Sequence, residues 1–203
     1  MKRFIPLFTL IAAAVSGSGP AMAGETCYDF SQQSAGRRLS VGEIVQAEHL
    51  RVRIHSYERG VPVAGDQYVE VKSSSNAGGS GPEMYTYQAN LLIEPRRPVT
   101  QIRFRVGESR GGPNNPVGGH ANILFNGTRH IITGGLNNAN GRVLLGDNGA
   151  RARIEVRMSQ SSTDSHWWSG TLTVTAKTAE IASFGIGGVP VVVDDVCFTP
   201  NGL

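Results

Sequence analysis

Apolar and polar residues alternate with a period of two along most of the chain. Leu50-Arg51-Val52-Arg53-Ile54 alternates apolar with basic, and so does Gln101-Ile102-Arg103-Phe104-Arg105-Val106. Arg151-Ala152-Arg153-Ile154-Glu155-Val156-Arg157-Met158 keeps the pattern, and Gly170-Thr171-Leu172-Thr173-Val174-Thr175-Ala176 does so with threonine on the polar side. Each run predicts a strand with one face in a core and the other in water. Residues 67–72 and 121–125 predict two shorter strands. Asn126-Gly127, between Ile123-Leu124-Phe125 and Arg129-His130-Ile131-Ile132, predicts a tight hairpin. No stretch combines a helical period with caps. Many short strands separated by Gly-, Asn-, Ser- and Pro-rich turns predict an all-β sandwich or barrel. The longest predicted loops are residues 73–83, 107–119 and 159–169; on a rigid sandwich, loops of this size are where binding residues concentrate.

Residues 1–23 break the alternation. Lys2 and Arg3 precede an apolar run from Phe4 to Val15, and Ala21-Met22-Ala23 closes the segment with small residues. This reads as a bacterial-type secretory signal peptide cleaved before Gly24. The run is too short for a permanent bilayer anchor, and no later segment is long or apolar enough to cross a membrane. A secreted or periplasmic protein is therefore expected, with residues 24–203 as one domain. The remaining 180 residues suffice for one hydrophobic core.

Removing Lys2 and Arg3 lowers the formal charge from +3 to +1. The bases carry no interleaved aromatics, so no nucleic-acid partner is expected. The kind of base is more informative than the net charge: 16 arginines stand against 3 lysines. A guanidinium offers a bidentate fork to carboxylate, sulfate or phosphate, which an ammonium does not.

The only two cysteines, Cys27 and Cys197, each lie within an alternating strand pattern at opposite ends of the exported part. An oxidising compartment favours a disulfide over two buried thiols, and two cysteines allow a single connectivity. Pairing across neighbouring antiparallel strands fixes a register in which partner numbers sum to 224. Tyr28 then faces Val196, and Asp29 faces Asp195 on the disulfide's side of the sheet. Two facing carboxylates repel, and burial worsens this. A bridging calcium ion, an intervening arginine or an escape to water at the sheet rim would each relieve them.

The opening Cys27-Tyr28-Asp29-Phe30, the closing Ile186-Gly187-Gly188-Val189-Pro190-Val191-Val192-Val193-Asp194-Asp195-Val196-Cys197-Phe198 and the central Asn122-Ile123-Leu124-Phe125-Asn126-Gly127 resemble galactose-binding-like jelly rolls. These folds include many carbohydrate-binding modules and secreted bacterial proteins ending in a similar Gly-Gly…Asp-Asp-Val-Cys strand. The resemblance implies a jelly-roll β-sandwich of two antiparallel sheets, with first and last strands adjacent. It also implies a structural calcium where the terminal strands meet, held by Asp29 and Asp195, with Asp194 (if a bulge turns it) and Glu43 as further ligands.

Candidate ligand-binding residues fall into three sets. His166-Trp167-Trp168 is an aromatic cluster in a polar stretch, and a tryptophan face stacks on sugar C–H groups. Adjacent tryptophans on an extended strand point to opposite sides, so one of them, or both, can instead plug the core. Tyr85 and Tyr87 share a face by alternation and form a second possible platform. Arg51, Arg53, Arg103, Arg105, Arg151, Arg153 and Arg157 point outward; on neighbouring strands they would make a stripe for an anionic polysaccharide or envelope phosphate, and otherwise a solvated face balanced by Glu70, Glu94, Glu108 and Glu155. No His-Glu-x-x-His, Gly-x-Ser-x-Gly or Cys-x-x-Cys signature is present. The expectation is a secreted non-catalytic binding module whose partner is a carbohydrate or cell-envelope glycan. The alternatives are an adhesive surface protein and, third, a glycan-active hydrolase.

Overall fold

The computed structural model describes residues 24–57, 65–79, 81–110, 120–162, 164–188 and 190–200. Residues 1–23, the expected signal peptide, lie outside the described residues, as do 111–119 of the loop expected at 107–119; Gly107–Ser109 of that loop belong to a strand. Among the described residues fifteen strands follow one another: β1 (Thr26–Tyr28), β2 (Arg38–Ser40), β3 (Ile44–Gln46), β4 (Leu50–Ser56), β5 (Tyr68–Lys72), β6 (Glu83–Tyr87), β7 (Ala89–Pro95), β8 (Val99–Ser109), β9 (Ala121–Phe125), β10 (Thr128–Ile132), β11 (Val143–Leu145), β12 (Arg151–Gln160), β13 (Trp167–Ala176), β14 (Phe184–Gly188) and β15 (Val191–Pro200). The only helical pieces among the described residues are two short 3-10 turns. No described helix is long and apolar enough to cross a membrane.

Two antiparallel sheets make a jelly-roll sandwich. The nine-stranded sheet runs β11-β12-β13-β8-β15-β6-β5-β2, with β1 paired to β15; the six-stranded sheet runs β10-β9-β14-β7-β4-β3. The alternation explains the layering. Ile102, Phe104, Val106, Leu172 and Val174 of the larger sheet turn inward and are fully buried, as are Val52, Ile54, Leu91, Ile93, Ile123 and Phe125 of the smaller one. Phe104 and Phe184 meet across the interface with ring centroids 5.2 Å apart. Removing each such side chain from water contributes about 1.5–3 kcal/mol.

The chain ends lie side by side in the expected register. Thr26 pairs with Phe198, Cys27 with Cys197 and Tyr28 with Val196, and the disulfide Cys27–Cys197 closes a span of 170 residues. The ladder stops there, and this corrects one expectation: Asp29 does not face Asp195. Both chains leave extended geometry at this point, with φ of 58° at Phe30 and 42° at Asp195, and β15 slips register against β8 between Asp194 and Cys197. A second correction concerns loops. The predicted loop at 159–169 is shorter than expected, because its two ends are strand: Ser159 pairs with Ser169 and Gln160 with Trp168, so both tryptophans sit in β13. The Asn126-Gly127 hairpin forms as expected, with Thr128 opposite Phe125.

The outer face of the nine-stranded sheet positions everything that follows. Strand pairing lays Tyr68 beside Tyr87 and Glu70 beside Tyr85. Tyr85 lies beside Val192, and Val192 beside Gly107. Further along the same face, Asp194 lies beside Arg105, Arg105 beside Thr171 and Thr171 beside Arg157.

Candidate functional site

Residues 73–79 leave β5 and lie over this outer face. The glycine at 107 makes room: a Cβ there would stand 2.7 Å from the Asn76 carbonyl oxygen, so the loop backbone rests on bare strand. The loop is bonded down along its length. Trp167 Nε1 donates to the Asn76 carbonyl at 2.7 Å. The Ala77 amide donates to Glu83 Oε1 at 2.6 Å, Ser74 Oγ donates to Glu83 Oε2, and Asn76 Nδ2 donates to the Tyr85 hydroxyl. Glu83 is fully buried, so its carboxylate acts as an anchor for loop donors. Ala77, Tyr85 and Val192 form a small apolar cluster beneath, with Tyr87 and Trp167 packed against it.

Four rings make a row along this cluster. Tyr68 and Tyr87 stack at 4.8 Å, Tyr87 and Tyr85 at 6.4 Å, and Tyr85 and Trp167 at 6.1 Å. Tyr85 is buried; Tyr68, Tyr87 and Trp167 are half-buried and keep part of their surface in water. Two cations border the row: Arg38 lies 4.6 Å from the Tyr68 centroid, and Lys72 lies 4.6 Å from that of Tyr85. Lys72 also donates to the Tyr87 hydroxyl at 2.5 Å. That bond favours the ammonium and raises the Lys72 pKa, while burial raises that of the Tyr85 phenol. Two of the sequence candidates, Tyr85 and Tyr87, thus meet a third, Trp167.

The other two aromatic-cluster candidates point elsewhere. Trp168 lies under the Arg110 guanidinium, 4.7 Å from ring centroid to Cζ, and Arg110 pairs with buried Glu108. Glu108 also accepts from the Leu136 amide at 2.8 Å, so it does not balance the outward arginines. His166 is exposed beside Asp164 at 3.4 Å.

The far end of the loop closes on carboxylates. Asp194 is fully buried; its Oδ1 accepts from the Asp195 amide at 2.8 Å, and its Oδ2 has no hydrogen-bond partner. Asp194 Oδ2 and Asp195 Oδ2 converge on the same spot at Gly79: a Cβ there would collide with the first and stand 2.8 Å from the second. The Asp29 carbonyl oxygen stands 3.2 Å from where a Cβ of Gly81 would be. Burial pushes the Asp194 carboxyl up to about 7, with smaller contributions from the charges of Asp195, Glu83 and Asp29, while its bond from the Asp195 amide acts the other way. An all-oxygen donor set and an unpartnered buried carboxylate oxygen suit a hard cation such as calcium, and the absence of a side chain at Gly79 lets the loop backbone lie against that oxygen. The register shift puts Asp194 on the same face as Cys197. Glu43 is engaged at the β2–β3 turn, where it accepts from the Ser40 amide at 2.5 Å and pairs with Arg37 at 3.7 Å. Asp29 caps its own turn through the Ser31 amide at 3.0 Å. Among the described residues the one trio of His, Cys, Asp or Glu ligand atoms lying within 4.8 Å of one another is Glu25 with Cys27 and Cys197, whose sulfurs are joined to each other and supply no thiolate; Asp29, Asp194 and Asp195 are not drawn that close.

The outward arginines divide between the sheets. Arg51 and Arg53 lie on β4 and share Glu94 at 2.7 and 3.8 Å. Arg103 and Arg105 lie on β8, and Arg151, Arg153 and Arg157 on β12; β13 separates these two strands, so they do not form one contiguous stripe. Tyr68, Asn76, Gly79 and Glu83 were not among the sequence candidates. Tyr68 had a signal, since it alternates with Glu70 and Lys72. The loop residues had none beyond composition. Compared with protein-family models, curated proteins and solved structures, the chain finds no match in any of the three.

Proposed function

We propose that the chain is an exported, non-catalytic glycan-binding module of galactose-binding-like type. Its binding surface is the outer face of the nine-stranded sheet, and a calcium ion braces the loop beside it. One observation carries this reading: the row Tyr68–Tyr87–Tyr85–Trp167 lies on an outward sheet face with three of its rings partly in water. Such rings offer apolar surface to sugar C–H groups, and the bordering Lys72, Arg38 and tyrosine hydroxyls supply the polar contacts that orient a hydroxylated ligand.

The ion would be held by Asp194 and Asp195, with Asp29 alongside. It would neutralise two like charges, one buried at Asp194 and one half-buried at Asp195, and fix the loop over the sheet. Its role is structural, because the loop it ties down is the one bonded to Tyr85 and Trp167. The Cys27–Cys197 disulfide suits export to an oxidising compartment.

The test is a glycan array probed with the mature protein, its Tyr87→Ala variant and its Trp167→Ala variant. The expected result is binding to a restricted set of glycans, weakened in both variants. Binding to no glycan, or equal binding by all three proteins, contradicts the reading.

A further inference from the structure

Strand β13 is the floor of a valley on the same face as the aromatic row. Beyond Trp167 its outward residues are small and hydroxylated: Ser169, Thr171, Thr173 and Thr175. The strands on either side carry long polar side chains. On β12, Arg157, Glu155 and Arg153 stand opposite Thr171, Thr173 and Thr175. On β8, Arg105, Arg103 and Gln101 stand opposite the same three threonines. Short residues between two rows of long ones leave a trough one strand wide, and a cavity of about 440 Å³ lies there, lined by Arg103, Arg157, Thr171 and Thr173 and by the carboxylates of Glu25 and Glu155. The walled part runs from Thr171 to Thr175, about 14 Å at ~3.4 Å per residue; Trp167 lies four residues further along the same strand, past Ser169, whose neighbours Gly107 and Ser159 are short.

Its walls carry more positive than negative charge. Four arginines border it, at 103, 105, 153 and 157, with Arg151 just past its Thr175 end and Glu155 standing in the β12 wall. Glu25 holds Arg103 at 2.7 Å, and Glu155 is shared by Arg153 and Arg157 at 3.6 and 3.9 Å. Among the described residues no carboxylate pairs with Arg105 or Arg151, and Arg157 is largely exposed. Glu25 and Glu155 offset part of this charge, which leaves Arg105 on one wall and the exposed Arg157 on the other, with hydroxyls along the floor between them.

We infer that the β13 valley binds an extended carboxylated polysaccharide, a uronic-acid polymer, one end of which reaches Trp167. The inference rests on the glycan-binding reading above and assigns its ligand class. Arg105 and Arg157 clamp carboxylates from opposite walls in the bidentate geometry that a guanidinium offers. The threonine hydroxyls hydrogen-bond ring hydroxyls, and the flat floor excludes branched chains.

The experiment measures binding of the mature protein to polygalacturonate, to the same polymer after carboxyl reduction, and to dextran sulfate, by affinity electrophoresis at two salt concentrations. The variants are Arg105→Gln, Arg157→Gln and Thr173→Tyr, which fills the valley without changing charge. The expected result is binding to polygalacturonate that weakens with salt, falls about tenfold with each arginine variant and is abolished in Thr173→Tyr. Equal binding of the carboxyl-reduced polymer, or arginine and Thr173→Tyr variants that bind like the parent, overturns the inference and leaves the glycan reading in place. Equal or tighter binding of dextran sulfate overturns the carboxylate assignment. Binding to none of these polymers, together with a blank glycan array, overturns both.

Discussion

Gly79 and Asp194 fit together because one has no side chain and the other has a carboxylate oxygen with no partner. A methyl group on Gly79 would occupy the space that Asp194 Oδ2 and Asp195 Oδ2 share. Backbone and buried carboxyl must both shift to admit it. Gly79→Ala is therefore expected to cost about 1–3 kcal/mol of stability. It should also remove most of the protein's response to added calcium. Thermal melts of the variant with and without calcium check both effects.

The pH dependence follows from the same group. The Asp194 carboxyl is raised from 3.8 to about 7 in the folded protein. Between those values the folded state keeps a proton that the unfolded chain has lost, so stability falls as pH rises through that window. Without a cation, the melting temperature is expected to drop from pH 5 to pH 7.5. With calcium the carboxylate stays ionised and the drop disappears. Asp194→Asn should flatten the cation-free profile. Melts at several pH values in chelator and in calcium check the sign.

Reduction of Cys27–Cys197 frees both ends of the described chain at once. The span it closes is 170 residues, for which chain entropy gives an upper figure of about 5 kcal/mol. A Cys27→Ser, Cys197→Ser double variant is expected to lose several kcal/mol in denaturant unfolding. The three-residue β1 should also detach, since only three residue pairs hold it to β15. Amide exchange at Cys27 and Tyr28 reports that detachment directly.

The Trp167 indole has two separable contributions, its stack on Tyr85 and its bond to the Asn76 carbonyl. Trp167→Phe keeps a ring and deletes the donor. It is expected to cost about 1 kcal/mol and to speed amide exchange in residues 74–79. A variant with unchanged loop exchange would show that the bond does not hold the loop.

Strand positions were legible because each buried face repeats every second residue, as at Arg151–Gln160 and Val99–Ser109. The terminal register was legible because a disulfide pins two facing strands. It failed one residue beyond the pinned pairs, since Phe30 and Asp195 take left-handed conformations without being glycine and nothing local announces that. The second tyrosine platform could be read from alternation at Tyr85 and Tyr87, but its meeting with Trp167 could not. That contact depends on β15 and β8 lying between β6 and β13, a sheet order fixed by long-range packing. The same holds for the valley. Thr171 and Arg157 are neighbours by a local hairpin, whereas Thr171 and Arg105 meet only through the fold. Glu83 reads as a strand-end charge, and its role in holding Ala77 and Ser74 depends on a loop that turns back over the sheet.

Calcium binding to the folded chain alone would raise the melting temperature. At a concentration about a hundredfold above the dissociation constant the gain is about 2.7 kcal/mol, or roughly 5–10 °C for a domain of this size. Magnesium, which demands octahedral geometry and holds its water, is expected to do less. Equal effects of the two ions would contradict a site shaped by Asp194 and Asp195.

The most direct measurement is a fluorescence titration of the Trp168→Phe protein, in which Trp167 is the sole indole, with oligosaccharides that include oligogalacturonates. Saturable quenching or a blue shift of Trp167 emission by at least one sugar, absent in Tyr87→Ala, is the expected result. An emission spectrum unmoved by every sugar, in protein shown to be folded and calcium-loaded, would contradict a glycan-binding face on the nine-stranded sheet.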